Sequence, residues 1–216
     1  MREQTIRFIE ERKIIAIVRG IWGEDCLNLA KALNAGGVNL LEATFDPKDP
    51  VLREKTADTI RLLIAELGDS MSFGAGTVTT VEMVQQAKAA GARFIVSPNT
   101  NEAVIRATVE SDMVSIPGAY TPTEIKFAND CGGDFIKVFP ASSLGPAYFK
   151  DVHAPLSDCK LLAVGSVNEK NICDYLAAGA VGAGVAGCLF KKDWVQAGEW
   201  QRITDATRSF TKTIGL

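Results

Sequence analysis

One histidine, His153, stands among 216 residues, and that scarcity closes several routes at once. A metal centre of clustered imidazoles has no second ligand, and a Ser-His-Asp triad would rest on this residue alone. His153 follows Lys150-Asp151-Val152 in what reads as a surface loop, without assigned chemistry. Cysteine adds little. Cys26, Cys131, Cys159, Cys173 and Cys188 are odd in number, scattered, and form no C-x-x-C pair. No disulfide framework or zinc site follows, buried filler is the expected role, and a reducing, cytoplasmic setting fits. No apolar run approaches the roughly 18 residues of a membrane span, and residues 1–12 mix charges with apolar side chains where a signal peptide would be uniformly apolar. Nor is there an excess of positive charge: 23 Lys and Arg against 26 Asp and Glu leave a net −3. Neither a nucleic-acid surface nor a membrane partner is expected.

What the chain does have is 47% hydrophobic residues in a repeating arrangement. Short apolar runs recur at residues 14–18, 40–45, 71–74, 94–97, 113–116, 135–139, 161–164 and 181–185. They are too short for helices, and most lack apolar/polar alternation, as do strands buried on both faces of a parallel sheet. Amphipathic stretches lie between them. Thr121-Pro122-Thr123-Glu124 offers an N-cap, a first-turn proline and a capping-box glutamate. Thr79 and Glu82 could make a similar box, and Asn168 could cap a helix carrying Ile172, Tyr175 and Leu176. Gly37, Gly91, Gly132 and Gly179 each sit where a helix would end, shortly before a strand.

Eight such strands predict an α/β fold: one (β/α)8 TIM barrel domain over residues 1–216, with a short N-terminal helix and a terminal helix from Val195 to Ile214 covering the barrel. A doubly wound open sheet is the competing architecture, but no G-x-G-x-x-G follows the first strand.

In a barrel, function sits at the C-terminal ends of strands. Lys137 lies between Ile136 and Val138. Burial lowers an amine's pKa, and a neutral amine can form a Schiff base with a ketone; the plainer alternative is a lysine whose stem is buried and whose ammonium pairs with an acid. Glu42, in Leu40-Leu41-Glu42-Ala43-Thr44, is either a proton shuttle beside Lys137 or its structural counter-ion. Arg19 ends the first strand and could hold a carboxylate or pair with an acid at the rim. Gly74-Ala75-Gly76-Thr77, Gly165-Ser166-Val167 and glycines 182, 184 and 187 read as turns whose N–H groups could approach an anion. Asp46-Pro47-Lys48-Asp49-Pro50 reads as a stiff loop over the barrel mouth.

These residues carry a resemblance. The stretches Ile14-Ile15-Ala16-Ile17-Val18-Arg19, Leu41-Glu42-Ala43-Thr44-Phe45, Gly74-Ala75-Gly76-Thr77-Val78, Phe94-Ile95-Val96-Ser97-Pro98, Ile116-Pro117-Gly118, Phe135-Ile136-Lys137-Val138-Phe139-Pro140 and Ala163-Val164-Gly165-Ser166-Val167-Asn168 run in order along nearly the whole chain. Together they resemble the class I aldolases that include 2-keto-3-deoxy-6-phosphogluconate aldolase and 4-hydroxy-2-oxoglutarate aldolase. The resemblance implies a homotrimeric TIM barrel needing no metal or other cofactor. The activity it implies is reversible cleavage of a 4-hydroxy-2-keto acid to pyruvate and an aldehyde, as in the Entner-Doudoroff pathway. It places the Schiff-base lysine at Lys137, the acid/base glutamate at Glu42, and substrate contacts at Arg19, Thr77, Thr44, Pro98, Phe139, Gly165, Ser166 and Gly187. Some members carry an arginine where this chain has Asp46, which leaves Arg19 as the carboxylate partner. Val164, Ser166 and Gly187 depart from the phosphogluconate-cleaving pattern of Thr-Gly-Gly-Val and a later serine. Two other readings remain: a phosphate-binding isomerase or epimerase barrel, and a barrel that only binds a keto acid.

Overall fold

Nine short strands alternate with helices, and every strand pairing is parallel. The computed structural model describes residues 1–216. The chain opens with α1 (Arg2–Arg12), β1 (Ile14–Val18), α2 (Gly23–Ala35), β2 (Leu40–Thr44) and α3 (Pro50–Leu67). It continues through β3 (Ser72–Gly76), α4 (Val81–Ala89), β4 (Phe94–Val96), α5 (Glu102–Glu110), β5 (Val114–Ile116) and β6 (Gly118–Ala119). Then come α6 (Pro122–Asp130), β7 (Ile136–Val138), a 3-10 turn (Ala141–Ser143), α7 (Gly145–His153) and β8 (Leu161–Val164). The last elements are α8 (Ile172–Ala177), β9 (Ala180–Val185), α9 (Lys192–Gln196) and α10 (Trp200–Thr213).

The sheet order is β5-β4-β3-β2-β1-β9-β8-β7-β6. Its two ends, β5 and β6, are adjacent pieces of one extended stretch separated by Pro117. Proline has no N–H to give a ladder, so the strand breaks there. The first piece pairs with β4 and the second with β7. The Ser115 carbonyl accepts from Asp134 and Phe135, and the Pro117 carbonyl from Lys137 at 2.9 Å, which brings the ends of the sheet together. Eight barrel positions are therefore filled by nine strands, the fifth being split.

Side chains alternate between the two buried faces of each strand. Ile15, Leu40, Val114, Phe135 and Leu162 fill the barrel's interior, joined by Ile9 of α1, which plugs the N-terminal end. Leu41, Phe73, Ile95, Ile136 and Leu161 point outward under the helices. Two glycines of β3 serve this packing. A Cβ on Gly74 would overlap the Phe94 ring, and one on Gly76 would overlap the Glu42 carboxylate. They lie within the strand, not in an anion-binding turn as the sequence suggested, and Gly182 and Gly184 likewise belong to β9.

The expected helix ends are present: Gly37, Gly91, Gly132 and Gly179 all have positive φ, between 88° and 105°. Thr121 and Glu124 form the full capping box of α6. Other details shift. Thr80, one residue past Thr79, caps α4, and Asn168 accepts from Lys170 N–H in the turn before α8 without capping that helix. The terminal segment is two helices, and α10 packs on α2 in the outer ring without capping the barrel, with Thr204 and Thr211 donating to the carbonyls of Ala32 and Gly36. His153 is the last residue of α7, half-buried against Gly179, and not a loop residue. Cys26, Cys131 and Cys159 are buried as expected, whereas Cys173 is exposed and Cys188 is half-buried.

Candidate active site

The barrel's C-terminal end opens into a cavity of about 580 Å3. Lys137 is the middle residue of β7, and the two-residue period puts its side chain two positions above Phe135, on the inward face. Glu42 stands two positions above Leu40 on β2 by the same rule. Both side chains line the cavity although only 8% and 3% of their residues' surfaces are exposed.

Burial dominates the electrostatics of both groups. It pushes the Lys137 ammonium down from its usual range; the nearby Glu42 charge partly restores it, and Arg19 lowers it further. Burial pushes the Glu42 carboxyl up, against the opposing pull of Lys137, a hydrogen bond from Thr44 and the charge of Arg19. Each group's charge opposes the effect of burial on the other, and no direct salt bridge joins them. The Lys137 Nζ also lies 4.8 Å from the centre of the Phe139 ring.

Around this pair the ends of other strands supply the rim. Arg19, just past β1, reaches Thr77 Oγ1 at 3.5 Å. Thr77 follows β3 with φ 57°, a conformation that β-branched side chains resist. Pro98, Phe139, Gly165, Ser166 and Gly187 all line the same cavity. Thr44 does not. Its hydroxyl donates to Glu42 Oε1 at 3.0 Å, and it lines an adjoining cavity of about 270 Å3 shared with Arg19 and Thr77. It holds the carboxylate in place from two positions further along β2.

The wall contains residues that sequence reasoning had not placed there. Ile17 and Val185 line it from β1 and β9, and Asn168 and Cys188 from the loops after β8 and β9. Nothing in their local pattern distinguishes them; they are identified by where the barrel brings two distant loops. Cys188 is no competing nucleophile, since burial, aided by Glu169, pushes its thiol up to about 12. The Asp46 loop is the tight turn expected: Asp46 accepts from the N–H groups of Lys48 and Asp49, and Asp49 caps α3.

A sequence model of the family "Aldolase: KDPG and KHG aldolase" matches residues 6–206. The chain belongs to this family. Among similar proteins, the "Probable 2-dehydro-3-deoxy-6-phosphogalactonate aldolase" of Rhizobium meliloti is 38% identical over 84% of this chain and 83% of its own length. The 2-dehydro-3-deoxy-6-phosphogalactonate aldolase of Escherichia coli is 35% identical over 82% and 84%. A solved structure of Legionella pneumophila KDPG aldolase, with pyruvate captured as a covalent carbinolamine, superposes with a TM-score of 0.83, 28% identity, and 95% and 97% coverage. The protein is an aldolase, a carbon–carbon lyase, on the barrel scaffold of its family.

Proposed function

We propose that Lys137 is the Schiff-base residue of a class I, pyruvate-dependent aldolase and Glu42 its proton shuttle. The observation that carries this is one buried lysine with a lowered pKa and one buried glutamate lining the same cavity at the barrel's C-terminal end. The Lys137 amine attacks C2 of a 4-hydroxy-2-keto acid, water leaves, and a protonated imine forms. Glu42 takes the C4 hydroxyl proton, the C3–C4 bond breaks, and its electron pair moves toward the iminium nitrogen to give an enamine. The aldehyde departs. Protonation of the enamine at C3 and hydrolysis release pyruvate and restore Lys137.

Arg19 and the Thr77 hydroxyl sit together at one side of the cavity and would hold the pyruvate carboxylate. The far end is bounded by Gly165, Ser166 and Gly187. The N–H groups of Ser166 and Val167 donate to no protein acceptor, which suits an anionic group there. The substrates this favours are 2-keto-3-deoxy-6-phosphogluconate, its C4 epimer named for the two relatives above, and 4-hydroxy-2-oxoglutarate, whose far end is a carboxylate. A homotrimer of 23.1 kDa chains in the cytoplasm belongs to the same reading. It draws support from Tyr120, Phe127 and Phe139, large side chains exposed beside the barrel mouth, and light scattering would test it.

The deciding experiment is borohydride reduction in the presence of pyruvate, followed by intact-mass and peptide mapping. A reduced pyruvyl adduct on Lys137 is expected. A folded sample that forms none would remove Lys137 as the Schiff-base residue.

A further inference from the structure

Ser166, in the loop after β8, is held in a conformation its residue type resists. Its φ is 56°, in the left-handed region where a Cβ crowds the following carbonyl oxygen. The loop's own backbone does not fix it, since the N–H groups of Ser166 and Val167 are unengaged. Two asparagines do. Asn168 Nδ2 and Asn171 Nδ2 both donate to the Ser166 carbonyl, each at 3.1 Å. Each amide is steadied at its other end: Asn171 Oδ1 accepts from Asn168 N–H at 2.8 Å, and Asn168 Oδ1 from Lys170 N–H at 3.0 Å. The Ser166 carbonyl and the Val167 N–H belong to one peptide plane and point in opposite directions. Anchoring the carbonyl therefore turns the Val167 N–H away from the asparagines. Ser166, Val167 and Asn168 line the cavity at the end of β8, four strands around the barrel from β3 and Thr77, whereas Asn171 does not line it.

We propose that Asn168 and Asn171 are positioning residues. They clamp the Ser166–Val167 peptide in the orientation that receives the anionic far end of the substrate, a phosphoryl group or a carboxylate. The clamp sets KM for the whole keto acid and leaves the chemistry at Lys137 untouched. This rests on the aldolase reading above.

The test separates the two ends of the cavity. Exchange of the pyruvate methyl protons with deuterium, followed by NMR, needs only enamine formation at Lys137, because pyruvate has no far end. Cleavage of 2-keto-3-deoxy-6-phosphogluconate, of its C4 epimer and of 4-hydroxy-2-oxoglutarate needs both ends. Asn171→Ala is expected to raise KM for the best of these substrates about tenfold, the scale of one lost hydrogen bond plus released backbone strain. The value of kcat and pyruvate exchange stay near those of the parent. Asn171→Asp keeps the acceptor for Asn168 N–H, loses the donor to Ser166, and should raise KM as well, which guards against a variant that misfolds. Adding Ser166→Gly to Asn171→Ala should recover most of the loss, because glycine adopts the left-handed conformation without a clamp. An unchanged KM in both Asn171 variants, a fall in exchange parallel to cleavage, or no recovery by Ser166→Gly overturns the inference. Absence of pyruvate exchange in the parent would overturn the Schiff-base reading of Lys137, and the inference with it.

Discussion

Leu40 and Glu42 lie two residues apart on β2 and face the same barrel interior; Phe135 and Lys137 repeat the arrangement at β7. The lower member of each pair meets Ile9, Ile15, Val114 and Leu162 in a closed apolar layer. The upper member meets an open cavity rimmed by Arg19, Thr77 and Ser166. Seven ångström or so of strand, about two residues' rise, thus separates a layer that stabilises the fold from one that strains it. The buried ionisable residues Lys137 and Glu42 lie at the second layer, and two of the four left-handed non-glycine residues, Thr77 and Ser166, stand at its rim; the other two, Lys13 and Asp112, follow helices at the opposite end. Active sites carry such costs because the rest of the structure offsets them.

Substitutions can break this contrast. The largest effect belongs to Lys137→Met, which should abolish cleavage and pyruvate trapping while leaving the Tm unchanged or raised, since burial already disfavours the ammonium. Measurable turnover would remove Lys137 from the mechanism. Glu42→Gln should slow cleavage by about 10²–10⁴, the range of general acid–base catalysis; a rate within a few-fold of the parent would make Glu42 structural. In the lower layer the effects reverse. Leu40→Ala should cost about 2–5 kcal/mol of stability through the cavity it leaves, yet spare kcat in the protein that remains folded. A larger loss of kcat than of stability would show that the two layers are not separable.

The smallest effect is the most discriminating and concerns pH. Imine formation needs the neutral amine, so its rate rises with pH through the lowered Lys137 pKa. Glu42 holds that pKa up and Arg19 pushes it down. Removing the negative charge with Glu42→Gln should therefore move the rising limb of pyruvate trapping to lower pH. Removing the positive charge with Arg19→Met should move it to higher pH. Shifts of one sign in both variants would mean that loss of packing, and not charge, governs the lysine.

Much of this was legible in the chain itself. A charged residue flanked by apolar neighbours in a short run is costly to bury, and that cost singled out Lys137 and Glu42 before any coordinates. Glycines placed between helix and strand marked the repeat, because they close helices in the left-handed conformation. The reading failed where one residue type serves two ends. Gly74 and Gly76 looked like an anion-binding turn, yet they make room for Phe94 and Glu42. Thr44, expected as a substrate contact, donates to Glu42 and lines a cavity shared with Arg19 and Thr77, a role its local pattern does not show. Asn168 looked like a helix cap and instead helps to clamp Ser166.

The sequence by itself determined the repeat of strand and helix, the single domain, and the two ionisable residues at the centre, because local periodicity and the cost of burying charge are properties of neighbours along the chain. Only the tertiary structure decided that Pro117 splits the strand at which the barrel closes, that Ile9 plugs one end, and that Asn168 and Cys188 line the same cavity as Arg19. Those facts depend on which distant segments meet when the sheet curls, and hydrophobic patterning carries no record of that meeting.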